Sequence, residues 1–127
     1  MNYFEKKFID SYIVLSKKDR LYFELNNPKK RINFILRFDH NSVNYLKKNC
    51  INYCGNINDI CIKLSNKHIK YYVLSYKYID GKIMDYNEFY EYVTNEYSSV
   101  IAITETFTIV KEEVEGKTNS YYLSINM

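Results

Sequence analysis

The residues whose types could do chemistry are few, and their spacing argues against most of it. Cys50, Cys54, Cys61 and His68 are a zinc set by residue type alone. A structural zinc site usually draws its ligands from knuckles with a two-residue gap, and this spacing matches none. Cys50 and Cys54 instead share the apolar face of a helix read over Val43–Cys54, where a free thiol behaves as a small hydrophobe. His40 and His68 are the only histidines. Asp39 and His40 are adjacent, so on a strand their side chains diverge and form no acid–base pair. Glu88, Glu91 and Glu96 read as the solvated face of a helix, without the desolvation that a general acid or base requires. Glu5-Lys6-Lys7 is a Glu-x-Lys that lacks the upstream aspartate of a metal nuclease. The expectation is a protein with no catalytic residues, no metal and no cofactor.

Two local motifs resemble ligand loops and fail on register. Asp80-Gly81-Lys82-Ile83 resembles the second half of an EF-hand loop. With Gly81 as the loop's sharp-turn glycine, the positions that need oxygen ligands hold Tyr76, Tyr78 and Asn87, so no calcium cage forms. Gly116-Lys117-Thr118 resembles the end of a P-loop, but Lys111 stands where the first glycine belongs, and no helix follows. Both read as turns.

Tyrosine and charge polarity remain. The 15 tyrosines include Tyr71, Tyr72, Tyr76 and Tyr78 on one expected strand and Tyr86, Tyr90, Tyr92 and Tyr97 on one expected helix. These are too many to bury with every hydroxyl satisfied. Exposed tyrosine suits protein interfaces and base-stacking platforms alike. Residues 1–82 hold 16 lysines and arginines against 7 carboxylates, whereas residues 83–127 hold 2 against 8. The expected partner-binding surface is therefore Asp85, Glu88, Glu91, Tyr92, Glu96, Glu112 and Glu113, with Tyr76 and Tyr78. Carboxylates arrayed this way speed encounter with a basic surface and suppress wrong partners. The basic triplets Lys17-Lys18-Arg20 and Lys29-Lys30-Arg31 lie at opposite ends of an expected strand meander, which splits any nucleic-acid footprint.

The elements that must position these residues centre on Asp85–Val110. Asp85 is a good N-cap and Glu88 completes a capping box. Tyr86, Phe89, Tyr90, Val93 and Tyr97 then recur at helical spacing. After Ser98-Ser99 the period changes to two, which predicts one long strand over Val100–Val110. Upstream, Tyr3–Ile9 reads as a short helix. Tyr12–Ser16, Arg20–Leu25 and Arg31–Phe38 read as three strands, with turns at Lys17-Lys18-Asp19 and Asn26–Lys30. Residues Asn56–Leu64 fit helix or strand, and strand is favoured. Ile69–Ile79 reads as a long strand, Asp80-Gly81 as a turn, and Glu115–Asn119 as the turn of a last hairpin ending in Tyr121–Ile125.

The 127 residues make one domain over 1–127. The expected fold is α+β, a mostly antiparallel sheet of about six to seven strands with two main helices packed on one face. At 46% hydrophobic and 26% charged, the chain has the balance of a globular protein. The N-terminus lacks the pattern of a secretory signal, and three cysteines suit a reducing, cytoplasmic setting. Asn, Ile, Tyr and Lys occur 15 times each and alanine once, the signature of AT-rich codons. Size, charge and composition together fit a small non-enzymatic inhibitor that occludes a basic site on a larger protein, such as a nuclease or nucleic-acid-binding complex. By analogy of size and charge this is the anti-CRISPR or immunity type encoded by phages and mobile elements. The alternative is a nucleic-acid-binding module that uses the basic loops and exposed tyrosines.

Overall fold

The computed structural model describes residues 2–53 and 55–125. Three helices come first, α1 (Tyr3–Tyr12), α2 (Leu15–Asn26) and α3 (Pro28–Tyr45). A 3-10 turn at Lys48–Cys50 leads to β1 (Ile51–Asn52), α4 (Ile57–Leu64), β2 (Tyr71–Leu74), β3 (Ile83–Met84) and α5 (Tyr86–Asn95). The chain ends in β4 (Val100–Ile103), β5 (Thr108–Val114) and β6 (Lys117–Leu123). The six strands form one antiparallel sheet in the order β1-β6-β5-β4-β2-β3. Each edge is a strand of only two residues, which offers little to an intruding chain.

The α+β class and the antiparallel sheet agree with the sequence reading. The helices differ: among the described residues there are five, and they cover both faces of the sheet. Tyr72, Leu74, Ile101, Ile103, Val110, Tyr121 and Leu123 pack with α1–α3 in one core. Tyr71, Val73, Val100, Ala102, Ile109 and Tyr122 pack with α4 and α5 in the other. Two-sided burial explains why β2 and β4 are buried at every position and show no polar alternation.

Of the three strands expected between Tyr12 and Phe38, Arg20–Leu25 and Arg31–Phe38 are helix, within α2 and α3, and Tyr12–Ser16 is the α1–α2 junction, where Ile13 makes a lone bridge to Leu46. Ile32, Phe34, Leu36 and Phe38 alternate like a strand, yet Ile32 and Leu36 are 49% and 44% exposed. Phe34, Ile35, Phe38, Ser42 and Tyr45 form the buried stripe, at helical spacing. Truncating Phe38 to alanine costs roughly 3–5 kcal/mol on the scale of buried aromatic deletions. The Asn26–Lys30 turn is the α2–α3 junction, where Asn27 Oδ1 accepts from Lys29 N–H at 3.0 Å and Pro28 opens α3. Lys17, Lys18 and Asp19 lie inside α2. Asp39 and His40 sit on α3, not on a strand.

The helix expected over Val43–Cys54 is instead the end of α3 followed by the 3-10 turn and β1, and Cys54 falls outside the described residues. Residues 57–64 are helix, capped by Asn56, whose Oδ1 accepts from Asp59 N–H at 2.9 Å. The long strand expected over Ile69–Ile79 stops at Leu74.

Val100–Val110 is two strands joined at Thr104–Phe107. Thr104 closes that turn without glycine or asparagine. Its Oγ1 accepts from Phe107 N–H at 3.1 Å, and its hydroxyl donates to Phe107 O at 2.7 Å. The final hairpin turns on two residues, Glu115 (φ 53°) and Gly116 (φ 77°), so Thr118 and Asn119 belong to β6. Among the described residues, no helix is long and apolar enough to cross a membrane.

Candidate functional site

Helix α5 starts where its sequence directs. Asp85 accepts from Glu88 N–H at 2.8 Å, and Glu88 Oε1 accepts from Asp85 N–H at 3.3 Å. Phe89 and Val93 are buried beneath it, and Phe89 stacks on Tyr71 with ring centroids 4.5 Å apart. Tyr86 and Tyr90 turn towards α4: the Tyr86 hydroxyl donates to Cys61 O at 3.4 Å and the Tyr90 hydroxyl to Asn58 Oδ1. The remaining side carries Glu88, Glu91, Tyr92 and Glu96 and faces the β2–β3 hairpin.

Between them lies a groove of about 450 Å³. One wall is α5. The other is Tyr78 and Lys82, with Lys82 Nζ 5.1 Å from the centre of the Tyr78 ring. Ile79 and Met84, 1% and 7% exposed, form an apolar floor. The far wall is held from behind. Asp80 Oδ1 accepts from Ser75 N–H at 3.1 Å, Oδ2 accepts from Arg31 Nε at 2.7 Å, and Gly81 N–H donates to Val73 O at 2.7 Å. Gly81 takes φ 82°, a backbone that favours glycine. At the other end of α5, buried Lys111 donates to Glu96 O at 2.6 Å, a cation capping the helix C-terminus.

Among the described residues no lysine or arginine forms an ion pair with Glu88, Glu91 or Glu96. The groove thus offers three carboxylates without an ion pair above an apolar floor, with a phenol on each wall; Lys82 is the one cation among them, and Glu88 also closes the capping box. That arrangement suits a lysine or arginine side chain, whose stem lies on Ile79 and Met84 while its head meets the carboxylates.

Of the nine residues expected to form the surface, Tyr78, Glu88, Glu91, Tyr92 and Glu96 meet in this groove. Asp85 is spent on capping. Tyr76 is half-buried and packs on the α1–α3 core, on the other side of the sheet. Tyr72, on the same expected strand as Tyr76 and Tyr78, is 5% exposed, with its hydroxyl on Glu5.

Glu112 and Glu113 are not surface carboxylates. Glu112 is 4% exposed and faces α3. Burial pushes its carboxyl up to about 7, with the charge of Asp39 adding to the rise and the hydrogen bond from Asn119 Nδ2 at 3.2 Å opposing it. Glu113 accepts from the Thr118 hydroxyl at 2.7 Å and pairs with Lys111 Nζ at 3.3 Å. Both side chains are therefore covered, Glu112 against α3 and Glu113 beside Lys111, and only the hairpin tip from Glu115 to Asn119 is exposed.

Lys82, Ile79 and Met84 escaped the sequence reading. Only the Asp80-Gly81 turn signal bore on them, because it folds β3 back beside β2. Cys50 and Cys61 are buried in opposite cores, and burial pushes the Cys61 thiol up to about 12. Among the described residues, no group of three or more histidines, cysteines, aspartates or glutamates is placed to hold a metal ion. Comparison of the chain with protein-family models, with curated proteins and with solved structures found no match.

Proposed function

We propose that this chain is a non-enzymatic binding protein that inhibits a larger protein by covering a basic site on it. The α5 groove is the contact surface. Inhibitors of this kind are what phages and mobile elements encode as anti-CRISPR or immunity proteins, and the AT-rich composition fits that origin. The reading rests on one observation: Glu88, Glu91 and Glu96 line a tyrosine-walled groove and none of them is in an ion pair, the groove's one cation, Lys82, lying over the Tyr78 ring. Carboxylates left unpaired beside apolar surface contribute little to folding and much to encounter with a basic partner.

The test uses a labelled lysine- and arginine-rich peptide as the probe. It binds the protein at low salt, and Glu91→Lys with Glu96→Lys weakens it at least tenfold through a slower association rate. Unchanged binding by that variant removes the groove from the account.

A further inference from the structure

The helical layer carries a second surface of opposite sign. Residues 2–50 hold 11 lysines and arginines against 5 carboxylates, whereas Asp85–Glu96 holds four carboxylates and no cation. In the strand meander expected from sequence, the two basic triplets stand far apart. As an antiparallel helix pair folded about Asn27, α2 and α3 bring parts of them together. Arg31 leaves the set, because it turns inward to Glu5 and Asp80. Arg20 and Lys30 remain, and Arg37 joins them nearly two turns along α3 from Lys30.

Arg20, Lys30, Arg37, Asn33 and Phe23 line a hollow of about 250 Å³ between the two helices. At its base lies Glu24, 4% exposed, which both guanidinium groups engage: Arg20 Nε is 3.3 Å from Oε1, and Arg37 Nη2 donates to Oε2. One carboxylate thus orients two forks and leaves the hollow with net positive charge. Arg37 Nε is buried in the wall without a hydrogen-bond partner. Phe23 is 57% exposed and stands between this hollow and a second one that holds Pro28 and Lys29.

We infer that the α2–α3 face binds single-stranded nucleic acid. Backbone phosphates sit against Arg20, Lys30 and Arg37 on one side of Phe23 and Lys29 on the other, and a base stacks on the Phe23 ring. Guanidinium forks match phosphate geometry. An exposed aromatic ring between two cationic hollows is the arrangement that takes an unstacked base, which a duplex keeps inside its stack. This surface is separate from the α5 groove, on the opposite face of the sheet, and does not depend on it.

The test is fluorescence anisotropy of a labelled 12-residue oligo-dT on the intact protein across a salt series. Binding is expected at low salt, with a log–log salt slope of about −3 for four neutralised phosphates. Phe23→Ala weakens binding roughly tenfold by the loss of one stacked base. Lys30→Ala weakens it and reduces the slope by about 0.7. Both side chains are exposed, so the thermal midpoint stays at the wild-type value. Glu91→Gln with Glu96→Gln leaves oligonucleotide binding unchanged, which separates this surface from the proposed inhibitor face. The inference is overturned by absence of binding at low salt, or by insensitivity to Phe23→Ala. Equal affinity for a blunt duplex or for inorganic polyphosphate overturns it too.

Discussion

Arg31 on α3 donates its Nε–H to Asp80 Oδ2 at 2.7 Å, and by that bond a helix on one face of the sheet fixes the turn that walls the groove on the other. The same guanidinium reaches Glu5 Oε2 at 2.6 Å, the Tyr72 hydroxyl at 3.2 Å and Leu25 O at 3.2 Å. Burial alone would lower its pKa, but the bonds to Glu5 and Asp80 outweigh that and hold it above its ordinary value. Every contact is to an acceptor from a different element, so the network ties α1, α2, α3, β2 and the β2–β3 turn into one body.

Removing that hub should be costly. Arg31→Met leaves Glu5, 2% exposed, as an uncompensated buried carboxylate. The expected loss is about 3–5 kcal/mol by urea unfolding. Arg31→Lys recovers less than half, because an ammonium cannot bridge Glu5 and Asp80 with a fixed fork. A loss under about 1 kcal/mol for Arg31→Met would show that the network adds nothing to stability.

Glu112 sets a pH dependence whose sign is opposite to that of a salt-bridged carboxylate. The folded protein keeps its proton up to about pH 7, while the unfolded chain releases it near 4.5. Between those values the folded state binds more protons, so stability falls as pH rises, by about 3 kcal/mol in total. Asp39 on α3, also raised by burial, acts in the same sense. The groups around Glu112 are Ser42 and Asp39 from α3, with Asn119 and Tyr121 from β6. Urea midpoints measured from pH 5 to 8 should decline, and Glu112→Gln should remove most of the decline. An identical slope in the glutamine variant would place the titration elsewhere.

Glu115 holds a left-handed backbone at φ 53° beside Gly116. Asparagine tolerates this conformation better than glutamate. Glu115→Asn should stabilise the β5–β6 hairpin by roughly 0.5–1 kcal/mol, read as a higher thermal midpoint.

Thr104 replaces the missing glycine in the β4–β5 turn with a hydroxyl that is buried at 1% exposure. Thr104→Val keeps the shape and removes these two bonds and the one Oγ1 accepts from Thr106 N–H at 3.3 Å, at an expected cost of about 1–2 kcal/mol in urea unfolding. A neutral result would mean that the backbone bond from Thr104 N–H to Phe107 O, 2.9 Å long, holds the turn unaided.

These residues also show what sequence could and could not reveal. α5 was legible because cap, capping box and apolar stripe all agree at Asp85, Glu88, Phe89 and Val93. α3 was misread because Ile32, Phe34, Leu36 and Phe38 alternate by accident of which apolar residues face solvent. The break between β4 and β5 was hidden because a side-chain hydroxyl, not a glycine, makes the turn. The acidic wall of the groove followed from α5 alone, whereas its Tyr78–Lys82 wall needed the tertiary bond from Arg31. Glu112 was misplaced because a strand buried on both faces gives no inside–outside signal. The α2–α3 hollow could not be seen while its helices were read as strands.

The central claim is that the α5 groove, and not the acidic residues at large, engages a basic partner. Amide chemical-shift mapping with the lysine- and arginine-rich peptide tests it most directly. The account predicts saturable shifts centred on Tyr78, Lys82, Glu91, Tyr92 and Glu96, which vanish in the Glu91→Lys, Glu96→Lys variant. Shifts scattered over Glu105, Glu115 and the helical layer, or none at all, would contradict it.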